Sequence, residues 1–376
     1  MKPAHLYIHV PFCLRRCSYC DFAVTATREP PIAAWLDTLG DELASLLRSR
    51  HWDRLELETV YIGGGTPSLL GTGAMAELRA RVQRLVDLRR DLEWTAEANP
   101  ETLTPELADD WAAAGVNRVS LGAQTFHEPA LRWMGRLHGV EGPGRAVQAA
   151  RAAGIGNISL DLIFALPARL GRDWAADLER TLELAPSHVS LYGLTAEEAT
   201  PLGRWVRSGR EQLPAEEAYE TEYLLAAERF AAAGFEHYEV SNFARPGLRS
   251  RHNTAYWTGA PYVGLGPGAH SYLPPARWWN LRDWEAYRTA AATGSPTRAG
   301  EERVEHDAER LEKVWLGLRS DAGLPLATLD PDARELLADW TRAGWADVGA
   351  ERLRLTPRGW LLLDRLALEL VHAPSA

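Results

Sequence analysis

Three cysteines lie within eight residues near the start of the chain, and the 376-residue sequence contains no other cysteine. Cys13, Cys17 and Cys20 have the spacing Cys-x-x-x-Cys-x-x-Cys. Cysteine thiolates hold iron–sulfur clusters, and an ordinary cubane cluster takes four of them. Because a fourth cysteine is missing, one iron would stay open to a ligand that is not protein. The spacing therefore predicts a 4Fe–4S cluster that can bind a small molecule and pass it an electron.

A zinc knuckle, a disulfide pair and inert buried thiols are the other interpretations of these cysteines. Structural zinc takes four closed ligands. The nearest histidine, His9, lies on a predicted strand whose alternation gives it no obvious route to the cysteine loop. A secreted protein held together by disulfides usually has an even number of cysteines and a signal peptide. This chain has three cysteines, and we expect no signal peptide. The pattern favours the open cluster.

Composition and charge narrow the class of protein. Hydrophobic residues make up 46% and charged residues 24%, as in ordinary globular proteins. The net charge of −10 argues against nonspecific binding to nucleic acid. Lys2 and Lys313 are the only lysines, which removes Walker-loop and Schiff-base interpretations of the N-terminal half. We expect a cytoplasmic protein, because reducing conditions suit thiolate ligands and no apolar run reaches membrane-spanning length.

Six strand-like runs recur through the first half of the chain, each followed by a helical pattern. Strands that alternate with helices indicate parallel pairing with right-handed crossovers. One helical stripe has apolar residues at three- and four-residue spacing, namely Trp35, Leu39, Leu43, Leu46 and Leu47. The predicted strands are Leu6–Val10, Thr59–Ile62, Trp94–Ala98, Arg118–Leu121, Ile158–Phe164 and His188–Tyr192.

Glycine and polar residues stand at the carboxyl ends of these runs, and their regular placement helps to choose between two possible folds. They are Gly63–Gly65, Glu97, Gln124, Asp161 and Thr195. An open sheet and a partial barrel both fit the repeat, and in parallel α/β folds that end carries the ligand site. Convergence of the polar residues on one face favours the barrel. We therefore predict an α/β fold, a partial (β/α)6 barrel.

Beyond about residue 200 the repeat stops. Residues 235–285 are rich in glycine, proline and aromatic residues. Helical patterns return after Asp307, with a two-strand wing predicted over Trp345–Leu355. The wing indicates a winged-helix-like domain, and without a basic stripe it favours packing or partner contact over nucleic acid. The predicted parts are a barrel core, a connecting segment and a small C-terminal helical domain, at 1–235, 236–300 and 301–376.

The second predicted strand ends in Gly63-Gly64-Gly65-Thr66-Pro67-Ser68. Glycines permit close backbone approach and positive φ, so this turn could present amide and carbonyl groups to an amino-acid head group. A tight structural turn is the alternative. The spacing does not fit the dinucleotide fingerprint Gly-x-Gly-x-x-Gly.

The order of the motifs makes the chain similar to a known superfamily. It resembles the radical S-adenosylmethionine (SAM) superfamily and, within it, the coproporphyrinogen dehydrogenase-like group. Besides the cysteines and the glycine turn, the matching motifs are Glu-Ala-Asn-Pro at 97–100, Ser-Leu-Gly-Ala-Gln at 120–124, Gly-Arg-Leu-His at 135–138, Asp-Leu-Ile-Phe-Ala-Leu-Pro at 161–167 and Tyr-Glu-Val-Ser-Asn-Phe-Ala at 238–244. They run through nearly the whole chain.

The resemblance implies a radical SAM barrel with a 4Fe–4S cluster on Cys13, Cys17 and Cys20, and with SAM on the open iron. One electron from the cluster would cleave SAM to methionine and a 5′-deoxyadenosyl radical, and the protein would supply orientation. Glu97 or Asp161 would face the ribose hydroxyls or the sulfonium. The residues implied to line the SAM cavity are Tyr7, Tyr19, Gly64, Gly65, Thr66, Glu97, Gln124, Arg136 and Asp161.

Two features separate the chain from the dehydrogenase branch of this group. That branch has a further cysteine where this chain has Phe22, and a long N-terminal extension, whereas Tyr7 already belongs to the first predicted strand. Residues 252–257 instead resemble the His-Asn-x-x-Tyr-Trp motif of heme chaperones. Histidine can ligate heme iron, and aromatic rings can cover a porphyrin face. The implied heme residues are His252, Tyr256 and Trp257, with His237 and His270 as weaker candidates.

The resemblance therefore implies a chaperone that binds heme and delivers it to acceptor hemoproteins, with a reductant protein for the cluster. The alternative is an oxygen-independent coproporphyrinogen III oxidase of porphyrin biosynthesis, which converts two propionates to vinyls. A radical SAM enzyme on an unrelated substrate is a third reading. Whether the chain is an enzyme stays open, so no catalytic residue is assigned. The acceptor, SAM cleavage, the oligomeric state and a peripheral membrane contact stay open too.

Overall fold

Six parallel strands in chain order form the centre of the fold. The structure is a computed structural model that describes residues 2–330 and 333–372. The six strands are β1 (His5–Val10), β4 (Glu56–Gly64), β5 (Asp87–Ala98), β6 (Arg118–Gln124), β7 (Asn157–Phe164) and β8 (His188–Gly193). Each pairs in parallel with the next. All six predicted strands and their parallel pairing are confirmed.

Shorter strands extend the sheet and close the loops. The remaining strands are β2 (Phe12–Cys13), β3 (Thr25–Ala26), β9 (Glu236–Glu239), β10 (Asn242–Ala244), β11 (Tyr262–Leu265), β12 (His270–Leu273), β13 (Ala276–Asn280), β14 (Arg298–Arg303), β15 (Leu324–Pro325), β16 (Ala346–Val348) and β17 (Arg352–Leu355).

Helices cover the outer face of the parallel strands and build the C-terminal domain. They are α1 (Ile32–Ser49), α2 (Ala74–Leu85), α3 (Pro105–Ala114), α4 (Glu128–Met134), α5 (Gly142–Ala152), α6 (Trp174–Glu183), α7 (Pro201–Arg207), α8 (Glu216–Ala232), α9 (Arg251–Trp257), α10 (Trp284–Ala292), α11 (His306–Arg319), α12 (Arg334–Arg342), α13 (Pro357–Trp360) and α14 (Leu363–Val371).

The first helix shows how the outer layer holds the barrel. The apolar stripe predicted on α1 is buried, including Trp35, Leu39 and Leu43. A fully buried aliphatic side chain stabilises the fold by roughly 1.5–3 kcal/mol relative to its exposed state. The indole of Trp35 also donates a hydrogen bond to the carbonyl of His9, at 3.1 Å. The helix therefore fixes the end of β1 from which the cysteine loop departs.

The segment 236–300, predicted to connect two domains, takes part in the same sheet. The strand order is β14-β13-β12-β11-β1-β4-β5-β6-β7-β8-β10-β9. Strand β11 pairs in parallel with β1, and β10 pairs antiparallel with β8, so the segment flanks the six strands on both sides. It therefore lies beside the barrel opening. The predicted domain limits remain a prediction, and their ends at 1 and 376 lie outside the described residues.

The C-terminal part has the predicted winged-helix character. A three-stranded sheet has the order β15-β17-β16, and its β16–β17 hairpin is the predicted wing. A separate core that includes Leu318, Trp340 and Leu366 holds it together. Within the described ranges, no helix is both long and apolar enough to cross a membrane.

Candidate functional site

A cavity of about 1060 Å³, here called the barrel cavity, lies at the carboxyl ends of the parallel strands. Its volume is at the upper end of the usual range of roughly 300–1,000 Å³ for small-molecule sites, so it has room for more than one small ligand. Two of the predicted residues, His252 and the weaker candidate His237, do not line it. The predicted residues that do are Tyr7, Cys13, Cys17, Tyr19, Cys20, Gly64, Gly65, Thr66, Glu97, Gln124, Arg136, Asp161, Tyr256 and Trp257.

The cysteine loop is tied down at its base and at its middle. Strand β2, which ends at Cys13, pairs in parallel with β3 and closes the loop. The amide of Ser18 donates to the carbonyl of Met134 at 3.2 Å, and the carbonyl of Ser18 accepts from the amide of Leu202 at 2.9 Å. All three thiols are partly exposed on the cavity wall.

The surroundings of the thiols suit bound, negatively charged sulfur. Burial raises the pKa of Cys13 to about 11 and also raises the pKa of Cys20, so both are protonated until a metal displaces the proton. The hydroxyl of Thr66 donates to Cys13 Sγ at 3.3 Å, and Arg136 Nη1 lies 3.9 Å from Cys17 Sγ. These donors stabilise thiolates, and the donor set therefore fits a cluster.

The thiols do not converge on one point. Across residues 2–330 and 333–372, no group of three His, Cys, Asp or Glu side chains is arranged to hold a single metal ion. In a cubane cluster each cysteine binds a different iron, so separated sulfur atoms are compatible with it.

His9 holds the cysteine loop against the barrel. Its Nε2 donates to the carbonyl of Ala23 at 2.8 Å, and its Nδ1 accepts from the hydroxyl of Tyr7 at 3.0 Å. Burial lowers the pKa of His9 to about 4, so the ring is neutral, as this pairing requires. The expectation that His9 has no route to the loop is wrong, because the loop crosses the end of the barrel where His9 points inward. With both nitrogens paired, His9 positions the loop and is not a metal ligand.

The glycine turn after β4 uses its amides within the protein. The amides of Gly64, Gly65 and Thr66 donate to Glu97 Oε2, to the Val10 carbonyl and to the Phe12 carbonyl, at 2.9, 2.7 and 2.8 Å. Gly64 has φ +102°, and a Cβ there would lie 2.3 Å from the ring of His9. The prediction that the turn presents amides to a ligand is therefore wrong for these three, whereas close backbone packing is confirmed.

Two partly buried carboxylates, one on β5 and one on β7, face the cavity. Glu97 also accepts from the hydroxyl of Tyr61 at 2.8 Å, and Asp161 accepts from the hydroxyl of Ser120 at 2.9 Å. Burial raises the pKa of Glu97 to about 7, and the charge of Asp161 adds to this rise. Burial likewise raises the pKa of Asp161. These carboxylates suit a cationic or hydroxyl-bearing ligand.

Arg118 lies below them in the interior of the barrel and has no obvious partner. Its side chain is 1% exposed, and none of its three guanidinium nitrogens hydrogen-bonds a group in the described part of the chain. Its positive charge lowers the pKa of Glu97 and of Asp161, against the effect of burial. Arg118 was not predicted as a site residue, because it stands at the start of a strand and outside every motif.

Arg136 joins the cysteine loop to the central strands. Its Nη2 donates to Asn99 Oδ1 and to the carbonyl of Gly122, both at 2.7 Å. Its Nε is buried and has no hydrogen-bond partner among the described residues, which leaves one donor for a bound ligand. Gln124 adopts φ +65° at the cavity wall. Asn99 was missed as a site residue, although it lies within the quoted Glu-Ala-Asn-Pro motif.

The His-Asn-x-x-Tyr-Trp motif forms α9, a short helix at the cavity wall. Ser250 caps it by accepting from the amide of Asn253 at 3.2 Å. Tyr256 and Trp257 line the cavity, and the buried indole nitrogen of Trp257 has no partner in the described ranges. His252 is fully buried behind them.

The predicted role of His252 as a heme ligand does not agree with this geometry. Its Nδ1 is 2.7 Å from Thr59 Oγ1, and its Nε2 is 2.8 Å from the hydroxyl of Tyr256. Burial lowers the pKa of His252 to about 3. The imidazole is therefore neutral, with both nitrogens occupied, and an iron in the cavity cannot reach it without breaking these contacts.

The two weaker histidine candidates differ. His237 is outside the cavity lining, with its ring stacked on Phe243 at 3.9 Å between centroids. His270 lines the cavity, is exposed and stacks on Trp279 at 5.9 Å. Of the two, only His270 faces the barrel cavity.

The barrel and its cysteine-lined cavity define a class of proteins. Residues 7–181 match a family model described as the radical SAM superfamily. A solved structure of coproporphyrinogen III oxidase (HemN) from Escherichia coli superposes with a TM-score of 0.82 and 22% identity, covering 99% of this chain and 90% of that chain. At this identity the likeness shows the fold.

Curated relatives place the chain more narrowly. Heme chaperone HemW from Mycobacterium tuberculosis (strain CDC 1551 / Oshkosh) is 40% identical, over 98% of this chain and 95% of its own length. Heme chaperone HemW from Lactococcus lactis subsp. lactis (strain IL1403) is 38% identical, over 86% of this chain and 83% of its own length. The chain therefore belongs to the HemW family within the radical SAM superfamily. This membership brings with it a 4Fe–4S cluster and SAM, for which the cysteine loop and the carboxylates are suited.

Proposed function

We propose that the chain binds heme in the barrel cavity and delivers it to acceptor hemoproteins, as a chaperone that carries a 4Fe–4S cluster and binds SAM. The observation that carries this proposal is that Tyr256 and Trp257, from the heme-chaperone motif, line the same cavity as the three cysteines. Relatives named as heme chaperones match nearly the whole chain, which supports the same conclusion.

The walls of the cavity suit a porphyrin. Tyr262 and Tyr272 line it together with Tyr256 and Trp257, and large aromatic faces favour contact with a flat ring. Arg277 and Arg282 are also in the lining, and arginine binds carboxylates such as heme propionates through charge-assisted hydrogen bonds. The segment 236–300 thus provides the porphyrin side of the cavity.

The opposite side would hold SAM. In this proposal its methionine group binds the open iron beside Cys13, Cys17 and Cys20, and the cluster supplies an electron. Glu97 and Asp161 orient the ribose or the sulfonium, and Arg136 contributes its unpaired Nε. The other residues proposed to contact SAM are Tyr7, Tyr19, Gly64, Gly65, Thr66 and Gln124, all in the cavity lining.

The partners follow from the surface around the cluster. Arg15 and Arg16 are exposed on the cysteine loop, and Leu14 and Phe22 beside them are 36% and 58% exposed. An apolar patch with positive charge suits an acidic electron-transfer protein as the reductant. We place the protein in the cytoplasm, because its three ligand cysteines need a reducing compartment.

A paired assay tests the function. Anaerobically reconstituted protein is titrated with heme, and in parallel it is incubated with coproporphyrinogen, SAM and reductant. A chaperone binds heme stoichiometrically, transfers it to an apo-hemoprotein and forms no protoporphyrinogen. Turnover of coproporphyrinogen at an enzymatic rate, without heme transfer, would instead assign the chain to the oxidase alternative.

A further inference from the structure

A chain of three hydrogen bonds connects the barrel cavity with the opposite end of the strands. It begins at the hydroxyl of Tyr256, 2.8 Å from His252 Nε2. His252 Nδ1 is 2.7 Å from Thr59 Oγ1, and Thr59 Oγ1 is 3.0 Å from His5 Nδ1. Tyr256 lines the cavity, whereas His5 begins β1 and is only half-buried. The path therefore runs from a ligand site to a residue near solvent.

The protons of this chain can all point the same way. Each imidazole is neutral and holds one proton, and the hydroxyl of Thr59 can donate once while it accepts once. In one arrangement Tyr256 donates to His252, His252 donates to Thr59, and Thr59 donates to His5. Loss of the phenolic proton then moves one proton along each bond and leaves the extra proton on His5.

We infer that Tyr256 Oη, and not His252, is the protein ligand to the iron of ferric heme in the barrel cavity, with His252, Thr59 and His5 carrying away its proton. The inference rests on the proposed heme-binding function. Tyrosine is an established axial ligand to heme iron. The Tyr256 O–H bond breaks, an Fe–O bond forms, the proton passes to His5, and the iron stays ferric.

The buried position of His252 gives it a role in the motif other than ligation of iron. It is fully buried with both nitrogens paired, so it acts as a positioning residue that orients the phenol and accepts its proton. Its ring also packs against Tyr61, with centroids 5.1 Å apart. Tyr256 itself packs edge-on against Tyr262 at 4.6 Å, which holds its ring at the cavity wall.

The charges around the path favour passage of the proton over its retention on His252. Burial lowers the pKa of His252, and the nearby His5 and Arg118 lower it further. Burial lowers the pKa of His5 too, and the charge of Arg251 lowers it further. The carboxylates of Glu58 and Glu93, however, raise the pKa of His5. Tyr256 is flanked by Tyr262, Tyr7 and Glu97, and burial raises its pKa well above the ordinary value. The phenol therefore ionises only when iron takes its oxygen.

Spectroscopy of the ferric heme complex tests the ligand. The full chain is loaded with hemin, and absorption and electron paramagnetic resonance spectra are recorded for wild type, Tyr256→Phe and the matched control Tyr262→Phe. Wild type and Tyr262→Phe should show a phenolate-to-iron charge-transfer band with high-spin ferric iron. Tyr256→Phe, which loses only an oxygen atom, should lose that band while its circular dichroism is unchanged.

The relay has a test of its own. Thr59→Val has nearly the same shape and cannot pass a proton, so the charge-transfer band should appear at higher pH than in wild type. A spectrum of Tyr256→Phe identical to that of wild type overturns the ligand assignment. A low-spin spectrum typical of imidazole-bound iron that is lost in His270→Ala also overturns the ligand assignment. That outcome leaves the proposed function intact. Failure of wild-type protein to bind hemin at all overturns the proposed function, and this inference with it.

Discussion

The carboxylate of Glu97 lies 2.9 Å from the amide of Gly64, so a side chain proposed to contact SAM also holds the glycine turn in place. The glycine turn packs against His9, which holds the cysteine loop through the carbonyl of Ala23. The cluster side and the SAM side of the cavity are thus joined by a short series of direct contacts. A change in one of these residues is expected to affect both.

Glu97 makes the stability of the protein depend on pH. Its folded pKa of about 7 is above the ordinary value of 4.5, so the folded state holds a proton that the unfolded state has released. The contribution of Glu97 to the free energy of unfolding should therefore be fully present below pH 4.5 and be lost as pH rises to about 7, by up to about 1.4 kcal/mol per pH unit. Glu97→Gln should remove this component in chemical denaturation curves recorded across that range.

Glu42 provides the control for this measurement. Burial raises its pKa to about 7 as well, and it accepts a hydrogen bond from the amide of Gly266 at 2.9 Å, away from the barrel cavity. Glu42→Gln should change the pH dependence of stability in the same direction and leave SAM affinity as in wild type. Equal SAM affinity in Glu97→Gln would contradict the role given to Glu97.

Gly64→Ala should damage both cofactor sites. The new Cβ would meet the ring of His9 at 2.3 Å in a backbone with φ +102°, so His9 must move and release the cysteine loop. Gly71→Ala is the matched control, because Gly71 has φ +72° but an added Cβ meets nothing within 4 Å. Both variants should pay roughly 1–3 kcal/mol of backbone strain, because both positions have positive φ. Only Gly64→Ala should also lose iron content and SAM affinity; normal values of both would show that the turn is independent of the loop.

The cluster should depend on every one of the three cysteines. Cys13→Ala, Cys17→Ala or Cys20→Ala should each abolish the iron and sulfide content of anaerobically reconstituted protein, because the sequence holds no spare cysteine. Thr66→Val removes the hydrogen bond to Cys13 Sγ and the one accepted from Asn99 Nδ2, and it should keep the cluster because all three thiols remain. Stoichiometric zinc with no uptake of iron would contradict the cluster assignment.

The cysteine loop should also govern reduction by a protein. Arg15→Glu with Arg16→Glu should slow reduction of the cluster by an acidic ferredoxin, and added salt should reduce the wild-type rate toward the rate of the variant. Reduction by dithionite should be unchanged. Arg90→Glu, an exposed change on β5 outside the loop, serves as the control. Equal rates with ferredoxin for all three proteins would place the docking surface elsewhere.

Much of the fold was predictable because it is local. The six strands are short apolar runs between amphipathic helices, and their polar carboxyl ends converge as predicted, with Glu97, Gln124 and Asp161 in one cavity. The pairing of β11 with β1 was missed, because four residues between glycine-rich turns carry little pattern and their partner lies more than 250 positions earlier. Long-range pairing of this kind leaves no trace in local periodicity.

The chemistry of single side chains was harder to predict than their presence. The motif correctly predicted that α9 lies at the cavity. Residue type alone did not indicate that both nitrogens of His252 are hydrogen-bonded, or that Tyr256 is the residue that lines the cavity. The same holds for His9, whose contact with Ala23 depends on where the loop crosses the barrel. Whether a polar atom is free is a property of the packing around it.

Arg118 gives the interior of the barrel an incomplete balance of charge. One guanidinium faces two carboxylates, Glu97 and Asp161, and the sulfonium of SAM, which we propose these carboxylates orient, would bring the sum to zero. Entry of SAM should therefore expel the proton that Glu97 holds near pH 7, whereas the neutral thioether S-adenosylhomocysteine gains nothing from that loss. In this proposal the barrel would recognise SAM by its charge. Cleavage of the sulfonium would restore the same imbalance and favour departure of the uncharged product.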